Sequence, residues 1–253
     1  MEVHIFNSPA ELGAWAGKKA AALLKEAIGL RGVAHLVLAT GASQFETLRY
    51  LTSDSDMEWG KVILFHLDEY LGIPLTHKAS FRRYLQERVL AKVPPLQSVY
   101  LIDGQTPAAG ECRRLNDLIR VHPIDVALVG MGENGHLAFN DPPADFNTKD
   151  PYIKVQLDQK CREQQVREAW FDRLEDVPLH AISMSVSQIM KSSHIICSVP
   201  EQRKASAVRD CLQNTVSPLY PASILQQHPS CDICLDADAA SLLSTSTITQ
   251  ATK

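Results

Sequence analysis

The sequence predicts an α/β protein whose mostly parallel sheet is covered by helices on both faces. Three observations predict it. Short apolar runs alternate with helical patterns from one end to the other. The runs are almost continuously apolar, as strands buried on both faces require. No internal repeat or linker interrupts the 253 residues, so one domain spanning 1–253 is expected.

Residues 3–6 form the first short strand. Ser8, Pro9 and Glu11 then carry the marks of a helix start: a capping hydroxyl, a proline in the first turn and a glutamate three residues after the cap. Leu12, Trp15, Ala16, Ala20, Leu23, Leu24 and Ala27 recur at helical spacing, with Gly29 as the expected stop. Residues 35–39 form a strand that ends in Thr40-Gly41-Ala42-Ser43, and a helix over 44–51 follows. A strand, a small-residue turn and a helix present free main-chain N–H groups to a phosphate.

The run 61–66 is the next strand. It leads into Leu67-Asp68-Glu69-Tyr70-Leu71-Gly72, read as a second functional loop on the same sheet edge. A helix is expected over 78–90, a connection at Pro94-Pro95, a strand over 99–102 and a helix over 108–121. The polar, proline-containing stretch 142–150 has the composition of a lid ordered by substrate. A strand over 153–157, a charged helix over 160–171, an apolar-alternating run over 177–184 and a strand over 193–199 follow. The segment beginning at Glu201 opens another helix, 231–235 is the last strand, and the Ser/Thr-rich tail from Leu242 is expected to fray.

Composition excludes several classes. The formal net charge is −4 and the pI about 6.1, which argues against a nucleic-acid surface. No apolar run is long enough for a membrane-spanning helix, and the N-terminus lacks the basic and apolar regions of a secretory signal, so a cytoplasmic location is expected. The six cysteines are scattered, unlike a disulfide framework. Cys231 and Cys234 form a lone C-x-x-C whose members face opposite sides of a strand, so they read as buried apolar side chains.

The chemistry concentrates after the apolar run 124–129, in Gly130-Met131-Gly132-Glu133-Asn134-Gly135-His136-Leu137-Ala138-Phe139-Asn140-Asp141-Pro142. Its glycines permit a tight turn and close approach to a ligand. His136 is suited to moving protons near neutral pH. A loop at the carboxyl end of such a strand is where ligands bind in open α/β sheets. Glu133, His136 and Asp141 lack an established metal-ligand spacing, so neither a metal nor a cofactor is expected.

The order of these residues resembles the signature of the glucosamine-6-phosphate deaminase/isomerase family, relatives of 6-phosphogluconolactonase. Asp68-Glu69-Tyr70 with a following glycine is similar to a second family segment. The resemblance covers about residues 6–236 and implies a modified Rossmann-like three-layer sandwich. It implies that an amino-sugar phosphate is converted with water to a ketose phosphate and ammonia. It assigns Asp68 as the proton acceptor, His136 as the ring-opening acid–base group, and Asn134 and Asp141 as groups that orient or polarise the histidine. It places Thr40, Gly41, Ala42, Ser43, Arg167 and Lys204 on the sugar phosphate, with Arg162 as the alternative to Arg167. Ala42 and Gln44 depart from the commonest phosphate turn, and Asp141 stands where many members carry glutamate. Tyr152 stands near an arginine of allosteric members, so allosteric control is not expected. Family members range from monomers to hexamers, which leaves a homo-oligomer open. The alternatives are a lactonase, against which 139–142 argues, a galactosamine-6-phosphate deaminase, and a non-catalytic sugar-phosphate sensor, for which no DNA-binding segment is evident.

Overall fold

A computed structural model describes residues 1–244. Seven parallel strands form the main sheet: β1 (Glu2–Phe6), β2 (Ala34–Leu38), β3 (Val62–His66), β5 (Ser98–Tyr100), β6 (Val126–Val129), β9 (His194–Val199) and β10 (Cys231–Asp236). Their spatial order is β1-β10-β9-β6-β2-β3-β5. The chain winds outward one way from β2 through β3 and β5, and the other way through β6 and β9. The adjacent carboxyl ends of β2 and β6 are therefore a topological switch point.

The strand pleat divides the core into two layers. Leu36, Leu38, Val62, Leu64, Leu128 and Cys234 face one side. Helices α1 (Pro9–Arg31) and α2 (Phe45–Thr52) cover them. Val37, Phe65, Ala127, Val129, Cys197 and Cys231 face the other. Helices α4 (Ala108–Arg120) and α6 (Ala205–Gln213) cover that side. Cys231 and Cys234 thus occupy opposite layers as buried thiols, and burial pushes the Cys231 thiol up to about 12. The result is the expected three-layer α/β sandwich, with every pairing in the large sheet parallel.

A second sheet has the order β4-β8-β7 and is antiparallel: β4 (Asp68–Tyr70), β7 (Tyr152–Gln156) and β8 (His180–Met184). Its Ile182, Met184 and Tyr152 pack into the layer beneath the main sheet. The Asp-Glu-Tyr segment expected as a loop is therefore a strand. Its pairing of Asp68 with Ser183 is contributed by a distant segment that local pattern does not reveal.

Helix boundaries follow cap chemistry. Ser8 Oγ accepts from Glu11 N–H at 3.2 Å. The expected stop at Gly29 is displaced to Gly32, which takes φ 78° and caps the last turn. The helix expected over 78–90 is α3 (Phe81–Leu85) followed by one wider turn, Gln86–Leu90. The helix expected to reach Phe171 is α5 (Gln159–Arg167), because Ala169 enters the left-handed region at φ 61°. The tail does not fray at its start: Leu243 is buried against the core, while 245–253 lies outside the described residues. Among the described residues, no helix is long and apolar enough to cross a membrane.

Candidate active site

The carboxyl ends of β9, β6, β2 and β3, adjacent in that order, send their loops to one edge and enclose one pocket. The loop after β2 supplies Thr40, Gly41, Ala42 and Ser43; the segment after β3 supplies Asp68. The loop after β6 supplies His136, and the turn after β9 supplies Arg203 and Lys204. Seven predicted site residues thus meet in one cleft.

Asp68 is 6% exposed. Burial, reinforced by the neighbouring Glu69 charge, pushes its carboxyl up to about 8. Glu69 has the opposite duty. Its carboxylate accepts from the main-chain N–H groups of Tyr70 (2.9 Å), Phe81 (3.2 Å) and Arg82 (2.9 Å), and from Ser80 Oγ–H (3.0 Å). It ties β4 to the first turn of α3, where helix N–H groups lack helical partners.

The loop after β6 fixes His136 by close contact. A side chain at Gly132 would place its Cβ 2.2–2.4 Å from the imidazole atoms, so only glycine lets the ring lie against that backbone. His136 Nδ1 lies 3.2 Å from Asp141 Oδ1. The contact is not a straight hydrogen bond, because Nδ1 has no partner in hydrogen-bond geometry. Burial works to raise the Asp141 carboxyl, but His136, the Asp158 N–H and the Asn134 amide outweigh it and hold it below the usual range.

Asn134 and Asp141 stand behind the pocket lining. Asn134 Oδ1 accepts from the main-chain N–H of His136 at 3.1 Å, and its amide donates to Asp141 at 3.1 Å and Asp158 at 3.3 Å. Asn134 therefore orients the histidine through its main chain, not its ring. Asp158 N–H donates to Asp141 Oδ2 at 3.1 Å, joining the start of α5 to the loop after β6.

At the other end of the pocket, the Thr40–Ser43 turn enters α2, and the leading N–H groups of such a turn are directed at an anion. Tyr84 Oη–H braces it by donating to Gly41 O at 2.9 Å. Thr40 Oγ1 is buried with no hydrogen-bond partner in the protein. Lys204 is 5% exposed; burial lowers its ammonium and the Glu168 charge opposes that. Arg203 donates to Glu168 at 2.7 Å and Glu133 at 3.1 Å.

Arg167 is not brought into the pocket. It is more than half exposed and donates to Glu133 at 2.6 Å. Arg162 is no substitute: it donates to the carbonyls of Leu174 (2.6 Å) and Val177 (3.1 Å). Tyr152, on β7, is buried and donates to His66 O at 2.8 Å.

Among the wall residues that sequence reasoning missed are Glu168, Trp170 and Arg203. Arg203 could have been found, since it adjoins Lys204 in the same turn. Trp170 could not, because its position depends on the left-handed turn at Ala169. Its indole N–H donates to Glu168 at 3.1 Å.

A family model described as glucosamine-6-phosphate isomerases/6-phosphogluconolactonase matches residues 7–233. The chain is similar to a protein of Bacillus thuringiensis (strain Al Hakam) named glucosamine-6-phosphate deaminase. The two are 33% identical over 245 residues, covering 96% of this chain and 90% of the relative. A Bacillus anthracis (strain CDC 684 / NRRL 3495) protein of the same name has the same identity and coverage. Among solved structures, a monomeric glucosamine-6-phosphate deaminase superposes with TM-score 0.87 at 28% identity, covering 96% of this chain and 100% of the other. A 6-phosphogluconolactonase from Shewanella baltica OS155 superposes with TM-score 0.77 at 21% identity, covering 94% and 98%, a likeness of fold. The chain belongs to the glucosamine-6-phosphate isomerase/6-phosphogluconolactonase family.

Proposed function

We propose that this protein is a cytoplasmic glucosamine-6-phosphate deaminase, converting glucosamine 6-phosphate and water to fructose 6-phosphate and ammonia. The observation that carries the reading is that a buried carboxyl, Asp68, and a carboxylate-backed histidine, His136, line the same pocket as the Thr40–Ser43 turn and Lys204. The names of the relatives at 33% identity agree with it.

In this reading the phosphate rests on the N–H groups of the turn, with Lys204 supplying a positive charge. Arg203 stands in the same wall, and Arg167 reaches the phosphate only by leaving Glu133. His136 protonates the ring oxygen as the sugar opens, and Asp141 stabilises the imidazolium form before transfer. Asp68 removes the C2 proton and returns it to C1. The resulting C2 imine takes up water and releases ammonia, leaving the ketose. The raised Asp68 pKa suits this task, because a base near the working pH both accepts and returns a proton. The substrate's C2 ammonium, brought beside Asp68, favours its ionised form.

Lactone hydrolysis would use the phosphate turn and His136 but leaves the C2 proton in place, so it gives Asp68 no proton to carry between carbons. The test is a comparison of glucosamine 6-phosphate, galactosamine 6-phosphate and 6-phosphogluconolactone with one preparation of the enzyme. Ammonia release fastest from the first supports the proposal. Fast lactone hydrolysis without ammonia release would overturn it.

A further inference from the structure

The deamination scheme uses His136 and Asp141 but not the thiol beside them. Cys161, in the first turn of α5, is 1% exposed. One ligating atom each from His136, Asp141 and Cys161 lies within 4.8 Å of the other two. Asp158 caps α5 by accepting from Cys161 N–H at 2.6 Å, which fixes the cysteine's position in the turn. His136 Nδ1 is buried and faces Asp141 Oδ1 at 3.2 Å without meeting hydrogen-bond geometry.

We propose that His136, Asp141 and Cys161 form a binding site for a thiophilic divalent cation of the zinc class. An imidazole nitrogen, a carboxylate oxygen and a thiolate sulfur are the donor set that zinc takes from proteins, with a fourth position left for water. Metal–ligand bonds of about 2.0–2.3 Å set neighbouring donors roughly 3.3–3.8 Å apart in a tetrahedron. Donors within 4.8 Å of one another are already close to that spacing. Binding releases the thiol proton to solvent and involves no redox change.

The two contributing segments give the site a consequence. His136 and Asp141 belong to the loop after β6, whereas Cys161 belongs to α5, whose Gln164 and Gln165 line the pocket. A bound cation ties that wall to the loop and takes the histidine nitrogen that faces Asp141. It therefore inhibits turnover. The inhibition rests on the sugar-phosphate reading, but the binding does not.

The test uses the full chain, freed of metal and titrated with Cd2+ while the ultraviolet thiolate-to-cadmium band is followed, with Zn2+ as competitor. One Cd2+ per chain is expected. In Cys161→Ser the band disappears. In Asp141→Asn and His136→Gln affinity falls by at least ~10–100-fold, the loss that even outer-sphere changes bring. Cys161→Ala serves as a second thiol-free variant, and thermal melts of the metal-free variants verify folding. Zn2+ inhibition, measured against each variant's own metal-free rate, is lost in the Cys161 variants. No band in the wild type, or a band of unchanged affinity in Cys161→Ser arising from another thiol, would overturn the proposal. A cadmium band in a protein that does not deaminate the sugar would leave this site standing and sink only the reaction.

Discussion

Asp68 and Glu69 are consecutive carboxyls with opposite roles: Asp68 lines the pocket, while Glu69 is fully enclosed and accepts three hydrogen bonds from the start of α3 and a fourth from the Tyr70 N–H. The β4 pleat separates them. One side chain is left available for chemistry because its neighbour anchors the strand. Their proximity also contributes to the high Asp68 pKa, after burial itself.

The first consequence concerns rate. In the free enzyme Asp68 titrates at about 8, so kcat/KM for glucosamine 6-phosphate rises as pH increases through that value. Once the substrate's ammonium is bound, the corresponding limb in kcat moves to lower pH. Steady-state pH profiles check both. A kcat/KM profile that is flat through this range contradicts the assignment.

Stability should show the same group with the opposite sign. The unfolded Asp68 carboxyl titrates near 3.8 and the folded one at about 8. Between these values the folded state holds a proton that the unfolded chain has released, so Asp68 increasingly destabilises the fold as pH rises across the window. Asp68→Asn is therefore more stable than the wild type at pH 8, by up to ~5 kcal/mol, with the advantage vanishing toward pH 4. Urea unfolding at the two pH values measures it.

Glu69 behaves differently. Glu69→Ala strands the N–H groups of Phe81 and Arg82 and the hydroxyl of Ser80, costing about 3 kcal/mol or more. Its midpoint of chemical unfolding falls, whereas that of Asp68→Asn at pH 8 rises.

Lys204→Met removes the buried cation beside the Thr40–Ser43 turn. If its contribution is binding of the phosphate in ground and transition states alike, KM rises ~10–100-fold while kcat changes little. Steady-state kinetics separate the two. An unchanged KM would place the phosphate elsewhere.

Much of this architecture was legible because the signals were local. Ser8, Pro9 and Glu11 marked the start of α1, and the apolar runs marked the strands of the large sheet. Thr40 through Ser43, Asp68, His136 and Lys204 meet in one pocket because each follows a strand on the same edge, although Asp68 and Lys204 were singled out by the family resemblance. The strand character of Asp68–Tyr70 was hidden because its partner Ala181–Ser183 is far away in the chain. The end of α5 was hidden because Ala169 adopts a conformation that its residue type disfavours. Arg167 carries the same lesson. Its charge was visible, but its pairing with Glu133 was set by tertiary contact.

The central claim is that Asp68 carries the proton from C2 to C1 in amino-sugar phosphate deamination. The most direct test is release of ammonia and fructose 6-phosphate from glucosamine 6-phosphate by wild type and Asp68→Asn side by side. The account predicts stoichiometric release by the wild type and a loss of at least ~10²–10⁴-fold in the folded variant. Equal release by both proteins, or none from a wild type that binds the sugar phosphate, would contradict it.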